Sequence, residues 1–208
     1  MRYSLLINDD KITELVDALN ICQSFKFGTY TLSSGKSSSY YLDLRLIQSY
    51  PEYYKIIIDS YINLIKNIGV DSFDYICGIA TAGLIFSVPV SISLGKPHVY
   101  IRKSKKNYGR EQNLEGNLKA NSRVLLIDDI FTTGSSLIDG FNVIHDSGGK
   151  VSSAVVLIDR LETSHSIFNS INMKLSSVAN IIDIANVLFS KSIIDDKQKN
   201  IILSNVID

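Results

Sequence analysis

Residues 124–136 read Val-Leu-Leu-Ile-Asp-Asp-Ile-Phe-Thr-Thr-Gly-Ser-Ser, and no other stretch constrains the chain as strongly. Four apolar residues run into two carboxylates and then into a loop of Thr, Gly and Ser. A buried strand over Val124–Ile127 delivers the residues after it to the carboxyl edge of a sheet, where open α/β folds bind ligands. The small residues that follow let backbone N–H groups turn inward around a phosphate. The next helix presents its positive end to the same anion. Asp128 and Asp129 are acceptor-only groups, suited to ribose hydroxyls and repelled by a phosphate. One short segment thus offers acceptors for a sugar beside donors for a phosphate, a surface for a phosphorylated ribose. No Gly-Lys-Ser/Thr follows Gly134, which separates it from a Walker loop.

The rest of the chain supplies the setting. Asp9 or Asp10 caps an expected helix over 11–22, with Ile12, Leu15, Val16 and Leu19 on one face. Phe25–Arg45 mixes aromatic and β-branched residues around Ser-Ser-Gly-Lys-Ser-Ser-Ser and reads as two strands joined by a turn. Ser49 at the cap and Pro51 in the first turn open a second helix. Apolar runs then alternate with helices: Tyr75–Ile79, a helix from Gly83, Val99–Ile101, Val124–Ile127, a helix from Ser135 to about His145, and Val151–Ile158. Gly148-Gly149 ends the helix before that last strand. This alternation implies an α/β fold with a central parallel sheet and helices on both faces. A short strand near Lys174–Ser177 and one or two helices complete a single domain.

Composition excludes other classes. Lys+Arg 21 against Asp+Glu 21 leaves no net charge, so no general electrostatic partnership with nucleic acid is expected. The longest apolar stretch, Gly83–Gly95, is too short to span a bilayer, and no secretory signal follows Met1-Arg2. Cys22 and Cys77 have neither disulfide-framework nor metal-ligand spacing and suit semi-buried thiols in a reducing cytoplasm. His98, His145 and His165 form no ligand pattern.

A second cluster lies in Ile-Arg-Lys-Ser-Lys-Lys-Asn-Tyr-Gly-Arg-Glu-Gln, residues 101–112. Arg102, Lys103, Lys105, Lys106 and Arg110 follow one strand while Asp128-Asp129 follow another, so both open onto the same sheet edge. Positive charge there suits a diphosphate, and the loop's polarity and length suit a lid.

The order apolar run, Asp-Asp, apolar pair, Thr-Thr-Gly-Ser-Ser resembles the phosphoribosyl diphosphate (PRPP) signature of type I phosphoribosyltransferases. Arg102, Lys103, Lys106, Tyr108 and Gly109 fit Arg-Lys-x-x-Lys-x-[His/Tyr]-Gly, similar to the catalytic loop of the orotate-specific family. Phe27-Gly28-x-Tyr30-x-Leu32-x-Ser34-Gly35, with Ser38 and Tyr41-Leu42-Asp43-x-Arg45, is similar to that family's N-terminal hairpin beside orotate. Gly78-Ile79-Ala80-Thr81-Ala82-Gly83 resembles its pyrophosphate loop, and Asp159-Arg160 its orotate-carboxylate pair. The resemblance runs from about residue 10 to about residue 188. Two positions depart from the bacterial pattern, which commonly has Lys at Ser33 and Tyr-Lys at Thr81-Ala82; small residues at the latter pair also occur in the family, whereas Ser33 removes a diphosphate cation for which Lys36 is the available substitute.

The resemblance implies a type I phosphoribosyltransferase fold, with a small hood from the N-terminal segment (mainly 1–48), a core of about 49–164 and C-terminal elements over 165–208. It implies transfer of the 5-phosphoribosyl group from PRPP to orotate, with Lys106, Asp128 and Asp129 catalytic. PRPP is expected on Arg102, Lys103, Lys106, Tyr108 and the 128–136 segment (Asp128, Asp129, Ile130, Phe131, Thr132, Thr133, Gly134, Ser135, Ser136). Orotate is expected on Thr132, Arg160, Tyr41 and Leu42, and the diphosphate beside Thr81 and Ala82. Mg2+ is expected to be carried mainly by PRPP, with no metal site of the protein's own. The family's homodimer shares its catalytic loops across subunits, and no nucleic acid or membrane partner is implied. Purine members often place a carboxylate where this chain has Thr132, so an uncharged hydroxyl favours a pyrimidine. The alternatives are a phosphoribosyltransferase for another base and a non-catalytic PRPP-sensing regulator, for whose winged helix the first ten residues leave no room.

Overall fold

The computed structural model describes residues 9–31, 37–103 and 113–207. Near the N-terminus, β1 (Phe25–Thr31) and β2 (Ser37–Leu42) pair antiparallel as a sheet of their own, with an irregularity between Phe27 and Tyr30. The main sheet holds β3 (Tyr75–Ile79), β4 (His98–Ile101), β5 (Leu114–Glu115), β6 (Arg123–Phe131), β7 (Lys150–Asp159) and β8 (Lys174–Asn180). Their order is β5-β4-β3-β6-β7-β8, parallel throughout except for the short edge strand β5. From β3 the chain steps outward to β4. From β6 it steps outward the other way through β7 to β8. The winding therefore reverses between β3 and β6, and a crevice opens beyond their carboxyl ends.

Six α-helices pack around this sheet among the described residues: α1 (Asp9–Ile21), α2 (Pro51–Ile68), α3 (Ala82–Leu94), α4 (Ser135–Asp146), α5 (Ile181–Ser190) and α6 (Asp196–Leu203). Alternation along the strands divides the core into two layers. Ile76, Leu125, Ile127, Val155 and Leu157 face one side, where they meet Leu15 of α1, Ile57 and Tyr61 of α2, Phe86 of α3 and Ile184 of α5. Cys77, Leu126, Ala154 and Val156 face the other, under Leu137 and Ile144 of α4 and Phe168 of a 3-10 turn. Both faces are covered, as the alternation of apolar strands with helices predicts. β2 joins the first layer through Tyr40 and Leu42, and α6 packs on it.

Of the boundaries that differ from the sequence reading, three bear on the site or on helix starts, while β8 runs on to Asn180 and other ends move by a residue. β6 does not stop at Ile127: Asp128 pairs with Val156, Ile130 with Ile158 and Phe131 with Asp159. The cause is β7, which runs on to Asp159 and so offers partners as far along as Phe131. The N-cap of α2 is Tyr50 rather than Ser49, because a 3-10 turn over Leu44–Ser49 delivers the chain one residue further on. Asp9 and Asp10 stand inside the first turn of α1, not before it. Cys22 and Cys77 are fully buried free thiols rather than half-buried ones. No described helix is long and apolar enough to cross a membrane.

Candidate active site

The crevice beyond β3 and β6 gathers the described motifs. At its floor is Asp128, 7% exposed, at the strand position that β7 flanks through Val156. Its backbone is fixed from two sides. The hydroxyl of the fully buried Tyr61 donates to the Asp128 carbonyl at 2.7 Å. On the other side α3 begins at the same spot: a Cβ on Gly83 would lie 2.7 Å from the Ile127 carbonyl oxygen and 3.0 Å from Asp128 Oδ1. Only the missing side chain lets the helix approach so closely. The Asp129 backbone N–H donates to Asp128 Oδ1 at 3.0 Å, which ties the Asp128 carboxylate to the next peptide group. Burial, and then each other's charge, pushes the Asp128 carboxyl well above the usual carboxylate range. Burial also raises Asp129, opposed by backbone hydrogen bonds and by the charge of Arg45.

Beyond the carboxylates the chain turns through Thr132 and Thr133 into Gly134, at φ +80°. That left-handed residue is the N-cap of α4, and it carries no side-chain cap. A Cβ on it would meet Ile167 Cδ1 at 2.4 Å. The first-turn N–H groups of α4 thus face the crevice without a side-chain acceptor, beside the exposed Ser135 and Ser136. Thr133 Oγ1 and Ser135 Oγ share a hydrogen bond at 3.2 Å. Asp128 and Ile130 through Leu137 line one open cleft. Acceptors for hydroxyls below and donors for a phosphate above are therefore both present.

Thr81 and Ala82 open α3 at the crevice edge, after a cis Ala80–Thr81 peptide and with the Ala80 N–H donating to the Ile101 carbonyl. Arg102 leaves β4 on the same edge. Its guanidinium pairs with Glu115 of β5 at 3.0 Å, and its N–H donates to the Asn113 carbonyl. Lys103 is exposed. Lys105, Lys106, Tyr108, Gly109 and Arg110 lie outside the described residues, as do Ser33 and Lys36.

Arg160 emerges from the end of β7, with its N–H bonded to the Phe131 carbonyl, and is 3% exposed. Nε donates to the Tyr40 hydroxyl at 3.0 Å, Nη2 donates to Ser38 Oγ at 3.4 Å, and Nη2 pairs with Glu162 Oε1 at 2.7 Å. The guanidinium carbon stands 4.3 Å from the Tyr40 ring centre. The hairpin residues on Arg160 are thus Ser38 and Tyr40. Tyr41 points the other way, stacked on Tyr30 and accepting from Arg45 Nη2 at 3.1 Å. Leu42 sits in the core. Arg45 is also held by Asp43 at 2.8 Å and lies within electrostatic reach of Asp129, a cation at the site that the sequence motifs left without a role. Asp159 is buried beside Arg160 but is engaged by the His165 ring at 2.6 Å and the Leu161 N–H at 2.8 Å. Among the described residues no group of three or more His, Cys, Asp or Glu could hold a metal ion.

This geometry has counterparts in known proteins. Residues 46–187 match the phosphoribosyl transferase domain family. The orotate phosphoribosyltransferase of Sulfurisphaera tokodaii is 41% identical over 173 residues, covering 83% of this chain and 87% of that one. The crystal structure of orotate phosphoribosyltransferase from Aeropyrum pernix superposes with a TM-score of 0.75 at 28% identity, over 87% of this chain and 99% of that one. Leishmania donovani UMP synthase superposes with a TM-score of 0.83 at 27% identity over 92% of this chain, which spans 41% of that larger protein.

Proposed function

The chain belongs to the orotate phosphoribosyltransferases, within the phosphoribosyl transferase domain family, and on that premise we propose how its residues share the transfer of the 5-phosphoribosyl group from PRPP to N1 of orotate. The products are orotidine 5′-phosphate and diphosphate, a step of pyrimidine synthesis. The observation that carries the assignment of roles is the pair of buried Asp128 and half-buried Asp129 running straight into the uncapped start of α4.

Asp128 and Asp129 accept from the ribose hydroxyls, and Thr132 to Ser136 with the first-turn N–H groups of α4 hold the 5′-phosphate. As the C1′–O bond to diphosphate breaks, its electron pair leaves with the diphosphate and positive charge develops on the ribose. The two carboxylates favour that cation, while Arg102, Lys103, Lys106 and Tyr108 are assigned to the leaving diphosphate. The N1 lone pair of orotate closes the new bond, and the N1 proton passes to the departing diphosphate. Thr81 and Ala82 bring backbone rather than cationic side chains to the diphosphate. Arg160 meets the carboxylate that distinguishes orotate from uracil. Two adjacent carboxylates are hard oxygen donors that suit Mg2+: Asp128 and Asp129 would help hold an ion carried mainly by PRPP, and that ion would supply neutralising charge for the diphosphate.

The apolar face of α3, with Val88 41% and Ile92 75% exposed, supports a homodimer, and we extend the family's sharing of the catalytic loop between subunits to this chain. Two buried free thiols support a cytoplasmic setting. The deciding assay follows PRPP consumption with orotate, uracil, adenine and hypoxanthine. Orotate alone is expected to turn over. Turnover of a purine overturns the base assignment, and PRPP binding without turnover of any base favours a regulator.

A further inference from the structure

We propose that Ser38, Tyr40 and Glu162 are positioning residues of the base site, which lock the Arg160 guanidinium in one plane and leave its Nη1 end to meet the substrate. The proposal rests on the reading of Arg160 given above.

An arginine has five N–H donors in a rigid fork, and a carboxylate is held best by two parallel donors from one side of it. Here the partners take the Nε side. Nε is bound to Tyr40, and Nη2 lies 2.7 Å from Glu162 Oε1 and 3.4 Å from Ser38 Oγ. No described residue accepts from Nη1. The Tyr40 ring, 4.3 Å from the guanidinium carbon, closes one face of the plane. Rotation about the last side-chain bonds would break all of these contacts together, so the fork is held ready before a base arrives.

Two further points follow from the chemistry of the partners. Tyr40 accepts from Nε, so its own O–H remains free to donate. Burial pushes its pKa up to about 12, and the group stays a hydroxyl at any working pH. Glu162 acts differently, because a guanidinium 3% exposed needs a counter-charge when the site is empty. Glu162, itself largely buried, supplies it.

The test is steady-state kinetics on the full chain, varying orotate and PRPP separately, for Tyr40→Phe, Glu162→Ala, Glu162→Gln and Arg160→Ala. Tyr40→Phe and Glu162→Ala are each expected to raise KM for orotate about tenfold, with kcat and KM for PRPP within about threefold of the parent. Glu162→Gln keeps the shape but removes the counter-charge, and is expected to retain most of the loss. Arg160→Ala is expected to lower kcat/KM for orotate by about a hundredfold or more. If Arg160→Ala has that effect but Tyr40→Phe and Glu162→Ala leave orotate KM unchanged, the positioning proposal fails alone. If Arg160→Ala turns over orotate normally, the reading of Arg160 fails and takes the proposal with it. A Glu162→Ala protein that does not fold leaves Tyr40→Phe, which keeps the ring and removes one hydroxyl, to decide. Equal increases in both Michaelis constants would point to general loosening and overturn the proposal.

Discussion

Asp128 sits where its own charge is disfavoured. It is buried, a second carboxylate follows it directly, and its pKa in the folded chain is raised for both reasons. The linkage has a definite sign. Below the unfolded pKa of an aspartate both states hold the proton and nothing is lost. As pH rises through the raised folded value, the native state is forced to give up a proton that the unfolded chain released earlier, and stability falls. Asp128→Asn keeps an acceptor for the Asp129 N–H and removes the charge. Its melting temperature should exceed that of the parent at pH 7.5 by roughly 2–4 °C for each kcal/mol relieved, and the two should converge near pH 4. Activity should be lost in the same variant, so function here is bought with stability. Lys106 tests the opposite kind of residue, one whose charge matters when the bond breaks. Lys106→Ala should lower kcat by roughly 10²–10³-fold while both Michaelis constants stay within about threefold. A rise in the PRPP constant alone would make it a binding residue. Asp128, Asp129 and Arg160 were legible in the sequence because each comes at the end of an apolar run. Tyr40 was not: Ser-Ser-Ser-Tyr-Tyr offers no apolar alternation to show which tyrosine faces inward, and only pairing with β1 settles it. Glu162 lies two residues past Arg160, and that opposite charge was the available signal.

At the scale of elements, the site depends on how closely α3 comes to β6. Gly83→Ala makes the point measurable, since intrinsic helix propensity favours Ala by about 1 kcal/mol. The added Cβ, however, would stand 2.7 Å from a carbonyl oxygen and 3.1 Å from the Asp128 Cα, and backbone cannot swing aside as a side chain does. The clash should win, with a net loss of about 1–3 kcal/mol in urea unfolding and a fall in kcat as Asp128 is displaced. A stabilised variant would show that α3 can shift freely. Element identity was readable from the alternation of apolar runs with helix caps. Ends were harder. The carboxylates looked like the residues after a strand because charge normally leaves the sheet there, whereas β7 holds them within it. β5, two residues long and antiparallel, has no periodicity to read at all.

For the whole molecule, α3 is apolar on nearly every side yet leaves Val88 and Ile92 in the open, which in a water-soluble helix asks for a cover. If that cover is a second subunit whose loop crosses over, two inactive chains can repair each other. Mixing Lys106→Ala with Asp129→Ala subunits should restore roughly a quarter of parental activity, from one complete site in each mixed dimer. No recovery, with mixed dimers demonstrated by mass, would put the loop in its own subunit's site. The bonds from Arg160 to Tyr40 and Ser38 carry a different consequence. They join the end of β7 to β2, segments far apart along the chain, so the group that reads the base also fastens the N-terminal hairpin. Occupancy and fastening are then thermodynamically linked. Orotidine 5′-phosphate should slow amide hydrogen exchange in β1 and β2 more than in α4, while ribose 5-phosphate, which lacks the base, should protect α4 and leave the hairpin as it was.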